Sequence, residues 1–169
     1  MKSKNNLIIL KNNYTLKFEE FYFKCSVGKK GLTSKKIEGD NKTPKGTFKL
    51  GNLFYRKDKV KKPKTNLLCK SIKINMRWCN DMKSLKNYNK LINNRENLRS
   101  EKLFRNDFKY NYFIVINYNF PRRIIGKGSA IFIHLTKDYK PTAGCIALKE
   151  KDFLIMLKLI NKNTKIKIF

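Results

Sequence analysis

The sequence contains one histidine, one tryptophan and four cysteines among its 169 residues. A single imidazole cannot complete a Cys/His zinc finger, and no two of the cysteines have the spacing of a zinc knuckle. Four scattered cysteines in a chain of this length do not require disulfide bonds. The sequence therefore predicts no structural metal site, and nothing in it indicates a cofactor.

Long apolar runs are also missing. No stretch approaches the roughly 18 consecutive apolar residues of a membrane-spanning helix. The run Leu7–Leu10 has only four apolar residues, which is shorter than the roughly 7 to 15 of a secretory signal, and no small-residue cleavage site follows it. We therefore expect no membrane span and no signal peptide in the sequence as given, which leaves the compartment open.

Acidic residues are scarce, because 12 Asp and Glu face 40 Lys and Arg and the formal net charge is +28. Such a charge indicates an anionic partner, such as nucleic acid, a membrane surface or an anionic wall polymer. However, 33 of the basic residues are lysines spread over the whole chain, whereas nucleic-acid recognition favours arginine. Drift toward residues with A/T-rich codons explains the charge better. We expect no specific nucleic-acid partner and only loose, salt-sensitive affinity for polyanions.

The pattern of short apolar runs predicts one mainly β domain over residues 1–169, which we expect to be a monomer. β-Branched and aromatic runs alternate with turn residues, as is typical of a β-sandwich or partly closed barrel with one or two helices. One helix is predicted over 149–161 from the helical spacing of its apolar residues. The polar, Asn-rich stretch 80–105 is predicted to be a long loop with room for a second, short helix.

The predicted strands are Leu7–Leu10, Tyr14–Phe18, Phe21–Val27, Thr47–Leu50, Leu53–Tyr55, Ser71–Asn75, Tyr112–Tyr118, Ser129–Leu135 and Thr164–Phe169.

The single histidine stands close in sequence to a Gly-Cys pair. His134 ends an apolar run, and Cys145 follows it by eleven positions, directly after Gly144. A free thiol has a pKa of about 8.5, so a nearby imidazole that takes its proton produces a nucleophile able to open an amide. Gly144 permits a sharp turn that directs N–H groups at a developing oxyanion. The plainer alternative is a packed strand followed by a turn, and spacing alone does not separate the two interpretations.

Two separated segments carry a resemblance to a known family. The sequence "GSAIFIH" at 128–134 is followed by "PTAGCIAL" at 141–148, and "EGDNKTPKGTF" stands upstream at 38–48. These resemble the active-site segment and the Gly-Asp-x-x-Thr-Pro-x-Gly-x-Phe segment of the L,D-transpeptidase catalytic domain, the YkuD-like family. The resemblance implies a β-rich domain and a two-step acyl transfer on peptidoglycan stem peptides through a thioester on the cysteine. It also implies the cell envelope as the place of action, although no signal peptide is visible and a cytoplasmic location stays open.

The resemblance assigns roles to individual residues of this sequence. Cys145 is the expected nucleophile and His134 the expected base, while Gly144 and the backbone after Thr142 shape the oxyanion hole. Within the 38–48 segment, Asp40, Thr43, Pro44 and Gly46 either line the cleft or build the turn that positions it, and the turn is favoured because Pro and Gly fix and permit bends.

Two residues near the start of the polar stretch, Trp78 just before it and Asp81 within it, are additional candidates for substrate binding. Trp78 is suited to stack on a sugar or to cover the site, and Asp81 stands beside it in sequence. The alternative for Trp78 is a packed anchor for the loop, and the two interpretations are evenly matched.

The active-site segment departs from the commoner Ser-His-Gly-Cys-x-Arg pattern of the family. Thr142, Ala143 and Ala147 stand where that pattern has the Ser, the second His and the Arg. The histidine expected to act as base is retained, so the dyad survives. The missing Arg removes a cation expected to bind a carboxylate. The candidates to replace it are one of the many lysines, Arg77, Arg122 and Arg123.

Three functions therefore compete: an L,D-transpeptidase, a carboxypeptidase or endopeptidase that uses water as acceptor, and a non-catalytic basic binder of an anionic polymer. The first two predict that Cys145→Ala and His134→Ala each abolish turnover of a stem peptide, because each removes half of the dyad. The third predicts binding that falls steeply with salt and is kept by both variants. Chromatography of the products measures turnover, and retained turnover in either variant would contradict the dyad.

Overall fold

A computed structural model of the chain describes residues 6–94 and 97–169. Its elements in chain order are β1 (Leu7–Asn12), β2 (Thr15–Phe18), β3 (Phe21–Ser26), β4 (Leu32–Thr33), β5 (Thr43–Pro44), β6 (Gly46–Tyr55), β7 (Cys69–Ser71), β8 (Met76–Cys79), β9 (Leu91–Asn93), β10 (Ser100–Lys102), β11 (Tyr112–Ile116), β12 (Phe132–Leu135), β13 (Ile146–Leu148), α1 (Glu150–Leu159) and β14 (Lys165–Ile168).

Eight strands form a closed, mixed sheet. Their order is β11-β12-β13-β3-β2-β1-β14-β6, and β6 pairs again with β11 to close the ring. Two of the pairings, β1 with β14 and β12 with β13, are parallel, and the others are antiparallel. The strand β7 adds to β6 in parallel. The predicted mainly β architecture is therefore confirmed, and its form is a barrel.

Alternation of side chains separates a core inside this barrel from a second core on its outer face. Along β6, Leu53 belongs to the main cluster with the apolar residues of β1, β2, β13 and β14, whereas Phe54 belongs to a smaller cluster. The helix α1 adds Phe153, Met156 and Leu157 to the main cluster. Since successive residues of a strand point to opposite faces, one strand supplies both cores.

The smaller core underlies the candidate site. Phe54 stacks on Phe113 with ring centroids 4.9 Å apart, and Phe113 lies 4.7 Å from Phe132. A separate three-stranded sheet, in the order β10-β8-β9, packs on this aromatic group through Trp78 and Leu91. Cys145 belongs to the same cluster.

Several local predictions differ from the structure, among them the strand predicted over Ser129–Leu135, which begins only at Phe132. The stretch predicted as two strands over 47–55 is one ten-residue strand, β6, because pairing with β14, β7 and β11 holds it extended through Gly51. The strand predicted over 71–75 ends at Ser71 instead. The stretch 80–105 is not a plain loop: it contains β9 and β10, which are only three residues long and therefore too short to show a clear alternation.

The described part of the chain has α1 as its one helix, and its ten residues are too few to cross a bilayer.

The side chain of Thr43 connects the segment 38–48 to the turn that carries Cys145. Its side chain is fully buried, and Oγ1 accepts the N–H of Gly28 at 2.9 Å and donates to the carbonyl of Gly144 at 2.8 Å. Thr142 is tied to the end of β3 as well, since its N–H donates to Val27 and its carbonyl accepts from Lys29. The segment 38–48 therefore positions the turn, as the structural interpretation of its Thr-Pro motif expects.

Replacement of Thr43 by Val tests this attachment. The variant keeps the side-chain shape but leaves two buried backbone groups without a partner, so we expect a loss of about 1–3 kcal/mol in the free energy of unfolding. The matched control is Thr47→Val on β6, where the side chain is exposed and a change of less than about 0.5 kcal/mol is expected. Urea unfolding followed by Trp fluorescence measures both, and equal stability of the two variants would contradict the role of Thr43.

Candidate active site

His134 and Cys145 lie on one face of two neighbouring parallel strands. In the register of β12 and β13, His134 stands opposite Ala147, and Cys145 precedes Ala147 by two residues, so the two side chains point to the same side of the sheet. Both line a cleft of about 570 Å³. The structure thus brings together the two residues that the sequence singled out.

The thiol of Cys145 is buried and held by the backbone of the preceding segment. Sγ donates to the carbonyl of Ala130 at 3.3 Å and accepts the N–H of Phe132 at 3.4 Å. Burial raises the pKa of Cys145 to about 12, and the nearby charge of Glu101 adds to the rise, while the Phe132 N–H and the charge of Lys36 oppose it. The thiol of Cys145 is therefore neutral at pH 7.

The imidazole of His134 is buried and neutral as well. Its Nδ1 lies 2.9 Å from the carbonyl oxygen of Leu135, which can only accept, so Nδ1 carries the proton and Nε2 is the basic nitrogen. Burial lowers the pKa of His134 to about 4, although the Leu135 carbonyl opposes the shift. The ring of Tyr110 packs edge-on against the imidazole at a centroid distance of 5.5 Å. In this state thiol and imidazole each bond to the backbone, not to one another.

A tight turn precedes Cys145. Gly144 has φ of +140°, and a Cβ at this position would lie 2.9 Å from the carbonyl oxygen of Lys42, so both conformation and space require glycine. The hydroxyl of Thr142 accepts the N–H of Gly144 at 3.0 Å and donates to the carbonyl of Cys145 at 2.6 Å. Thr142 therefore shapes the turn through its side chain and lines the cleft beside Cys145.

The structure does not bring Trp78 and Asp81 to this cleft. Trp78 donates from Nε1 to Asn89 at 2.9 Å, packs edge-on against Phe132 at 5.1 Å, and lines a different cavity. Asp81 accepts the backbone N–H groups of Lys83 and Arg99 and so joins the two ends of the 81–99 segment. Both residues are structural anchors, which is the alternative that the sequence left open for Trp78.

Several cleft residues were missed by sequence reasoning. Tyr110 donates its hydroxyl to the carboxylate of Glu101, and Glu38 accepts hydrogen bonds from Tyr88 at 2.6 Å and Ser129 at 2.7 Å. Glu38 and Glu101 both line the cleft that contains Cys145. Glu101 belongs to the stretch predicted as a loop, where no periodicity singled it out. Glu38 is the first residue of the 38–48 segment, and its position directly before Gly39 was the sequence feature that could have marked it as a cleft residue.

The arginines considered as replacements for the missing Arg lie outside the cleft. Arg77 belongs to β8 and Arg123 donates to the carbonyl of Asn89 beside the second cavity. Arg122 does not line the cleft either. Ala147 does line it and brings no charge.

The structure is that of a mainly β protein with a cysteine and a histidine in one cleft. The model of the L,D-transpeptidase catalytic domain family, YkuD, matches residues 2–168, and the chain belongs to this family. Members of the family act on peptidoglycan peptides.

A solved structure with a similar fold is that of Bd1075 from Bdellovibrio bacteriovorus. The two share 16% sequence identity at a TM-score of 0.50, and the match covers 96% of this chain and 47% of the Bd1075 chain. At this identity the likeness concerns the fold alone. The present chain spans about half of that chain. No curated protein matches the sequence.

The buried imidazole predicts a loss of stability in mild acid. The pKa of His134 is about 4 in the fold, against 6.5 as its ordinary value, so only the unfolded chain binds this proton between those values. The contribution of His134 to stability is therefore full above pH 6.5 and is lost as the pH falls toward 4, by about 2 kcal/mol between pH 7 and pH 5.

Urea unfolding of the wild type and of His134→Gln at pH 7 and pH 5 measures this contribution. Glu101, whose pKa burial raises, is present in both proteins and cancels in the comparison. We expect the wild type to lose more stability than the variant by about 2 kcal/mol, and an equal loss would show that the imidazole is not buried as a neutral group.

Proposed function

We propose that the protein is a cysteine acyltransferase of the L,D-transpeptidase type, with Cys145 as nucleophile and His134 as base, acting on peptidoglycan stem peptides. The observation that carries this proposal is the placement of the two side chains on one face of paired parallel strands, in one cleft. The family's action on peptidoglycan peptides supplies the class of substrate. A non-catalytic binder would have no need of this paired placement.

The first step is formation of a thioester. The thiol proton passes from Sγ to Nε2 of His134, and sulfur attacks the carbonyl carbon of the scissile amide. When the tetrahedral intermediate collapses, the C–N bond breaks and the imidazolium returns the proton to the leaving amine. In the second step an acceptor amine attacks the thioester, releasing the thiol and forming the new amide. Water in place of the amine gives a free carboxylate and a hydrolytic enzyme.

Proton transfer requires a change in the contacts of the thiol. Sγ donates to the carbonyl of Ala130, and the hydrogen bond of His134 runs from Nδ1 to the carbonyl of Leu135, so neither bond joins Sγ to Nε2. The pKa of the thiol is about 12 and that of the imidazole about 4, so both groups are uncharged at neutral pH and the thiolate–imidazolium pair is strongly disfavoured. Substrate binding must therefore turn the thiol toward His134, and the charge that develops must be stabilised in the transition state.

Backbone N–H groups of the turn are the donors for the oxyanion. The N–H of Gly144 is already used by the Thr142 hydroxyl, so the groups on either side of it, from Ala143 and Cys145, are the ones proposed to face the substrate carbonyl oxygen. Two N–H groups from one turn are the common arrangement of an oxyanion hole. The positive φ of Gly144 supplies the local bend that this requires.

Acylation by a carbapenem tests the nucleophile. The thiolate attacks the β-lactam carbonyl and the ring C–N bond opens without loss of atoms, so intact-protein mass spectrometry should show a gain equal to the whole drug. We expect this adduct in the wild type and its absence in Cys145→Ala, with His134→Ala slowed by about 10²-fold or more.

The matched control is Cys69→Ala, which removes a half-buried thiol on β7 outside the cleft and should leave the adduct unchanged. An adduct that persists in Cys145→Ala would assign the reactive thiol elsewhere and overturn the proposal. Incubation with a tetrapeptide stem and an amine then identifies the acceptor, because amide formation marks a transpeptidase and hydrolysis alone marks a carboxypeptidase.

A further inference from the structure

The cleft lacks the arginine of the commoner family pattern, and a different residue supplies a buried cation beside the nucleophile. Six basic residues line the cleft: Lys36, Arg99, Arg105, Lys109, Lys137 and Lys140. Five of these are exposed or half-buried, whereas Lys36 is only 5% exposed. Burial of a lysine side chain is costly, so its position needs a specific explanation.

The ammonium group of Lys36 is held at the turn that carries Cys145. A Cβ on Gly144 would lie 3.7 Å from Nζ, and a Cβ on Gly128 would lie 2.9 Å from Cγ of the lysine stem. Both glycines have positive φ, at +140° and +99°. Because neither glycine has a side chain, the aliphatic part of Lys36 can pack against Gly128 and its ammonium group can lie close to Gly144, directly before Cys145.

Only part of the hydrogen-bonding capacity of Lys36 is used by the protein. Within the described chain, Nζ donates to the carboxylate of Asp40 and to the carbonyl of Ile37 at 3.1 Å. An ammonium group has three N–H donors, so one remains for a ligand in the cleft. Asp40 also accepts the N–H groups of Ile37 and Lys42, which fixes the carboxylate and through it the lysine.

The charge of Lys36 acts on the nucleophile. Burial and Glu101 raise the pKa of Cys145, and Lys36 is the charged group that lowers it. Arg105 pairs with Asp107 and Lys140 with Asp138, as Lys36 does with Asp40, but of these three cations only Lys36 is buried.

We propose that Lys36 is the anion-binding residue of the site, and that its free N–H donor holds an anionic oxygen of the substrate next to Cys145. Two oxygens have this chemistry, a carboxylate of the stem peptide and the oxyanion that forms at the scissile carbonyl. Lys36 thereby takes the place of the arginine that Ala147 replaces. The identity of the anion rests on the proposed function, whereas the anion site itself does not.

Alkylation of Cys145 with two small reagents tests the site without any stem peptide. Iodoacetate is anionic and iodoacetamide is neutral, and in both cases sulfur forms a bond to carbon as iodide leaves. We expect Lys36→Met to lower the ratio of the iodoacetate to the iodoacetamide rate at Cys145 by about tenfold, because the variant removes a charged hydrogen bond to the carboxylate. A change in the pKa of the Cys145 thiol alters both alkylation rates by the same factor, so it cancels in their ratio.

The matched control is Lys45→Met, which removes the same charge from an exposed position in the same segment, outside the cleft, and should keep the wild-type ratio. Peptide mapping of the fully buried Cys25 reports unfolding, and if it is alkylated in Lys36→Met, Lys36→Gln is used instead. A ratio unchanged from wild type in the folded variant overturns the proposal, as does an equal fall in Lys45→Met.

Acylation by a stem tetrapeptide and by its C-terminal amide separates the two anions. Loss of rate in Lys36→Met with the free acid alone assigns Lys36 to the terminal carboxylate, and equal loss with both assigns it to the oxyanion. If neither peptide nor carbapenem acylates the wild type while the alkylation ratio still falls in Lys36→Met, the proposed function fails and the anion site stands.

Discussion

The parallel pairing of β12 with β13 is the constraint on which the site depends. It sets Ile133 opposite Ile146 and His134 opposite Ala147, and by alternation it puts the imidazole and the thiol of Cys145 on the outer face while the two isoleucines enter the barrel core. A slip of one residue would send the thiol into that core and expose the isoleucines. The apolar interior of the barrel therefore enforces the geometry of the polar site outside it.

The same packing that fixes the dyad also keeps it uncharged. Cys145 and His134 belong to, or border, an aromatic cluster with Phe113, Phe132 and Tyr110, and this surrounding moves the pKa values of thiol and imidazole apart. Such a site reacts poorly with solvent and develops charge where a bound substrate displaces water. A buried charged group at its wall, such as Lys36, acts strongly on the thiol, because its field is poorly screened there.

Strong local patterns were predictable from the sequence, and relationships between distant segments were not. Alternating runs within 7–18 and 164–169 predicted the strands, and the apolar spacing around Phe153 predicted the helix. The pairing of Cys145 with His134 was predicted from the family resemblance, because spacing alone did not decide it. The small sheet of β8, β9 and β10 was not predicted from the sequence, because its strands are only three or four residues long and show no clear alternation. Packing on Phe132 stabilises it instead. Lys36 was not identified from the sequence for a different reason. In a chain with 33 lysines, only its burial distinguishes it from the others.

The appended sheet of β8, β9 and β10 has a consequence for how the cleft can vary. One wall of the cleft comes from the barrel strand β12 and the nucleophile turn, and the other from Asn80, Arg99 and Glu101 at the ends and along the edge of that small sheet. None of the three small strands takes part in closing the barrel. The residues of this second wall therefore belong to a part of the fold that the closure of the barrel does not require.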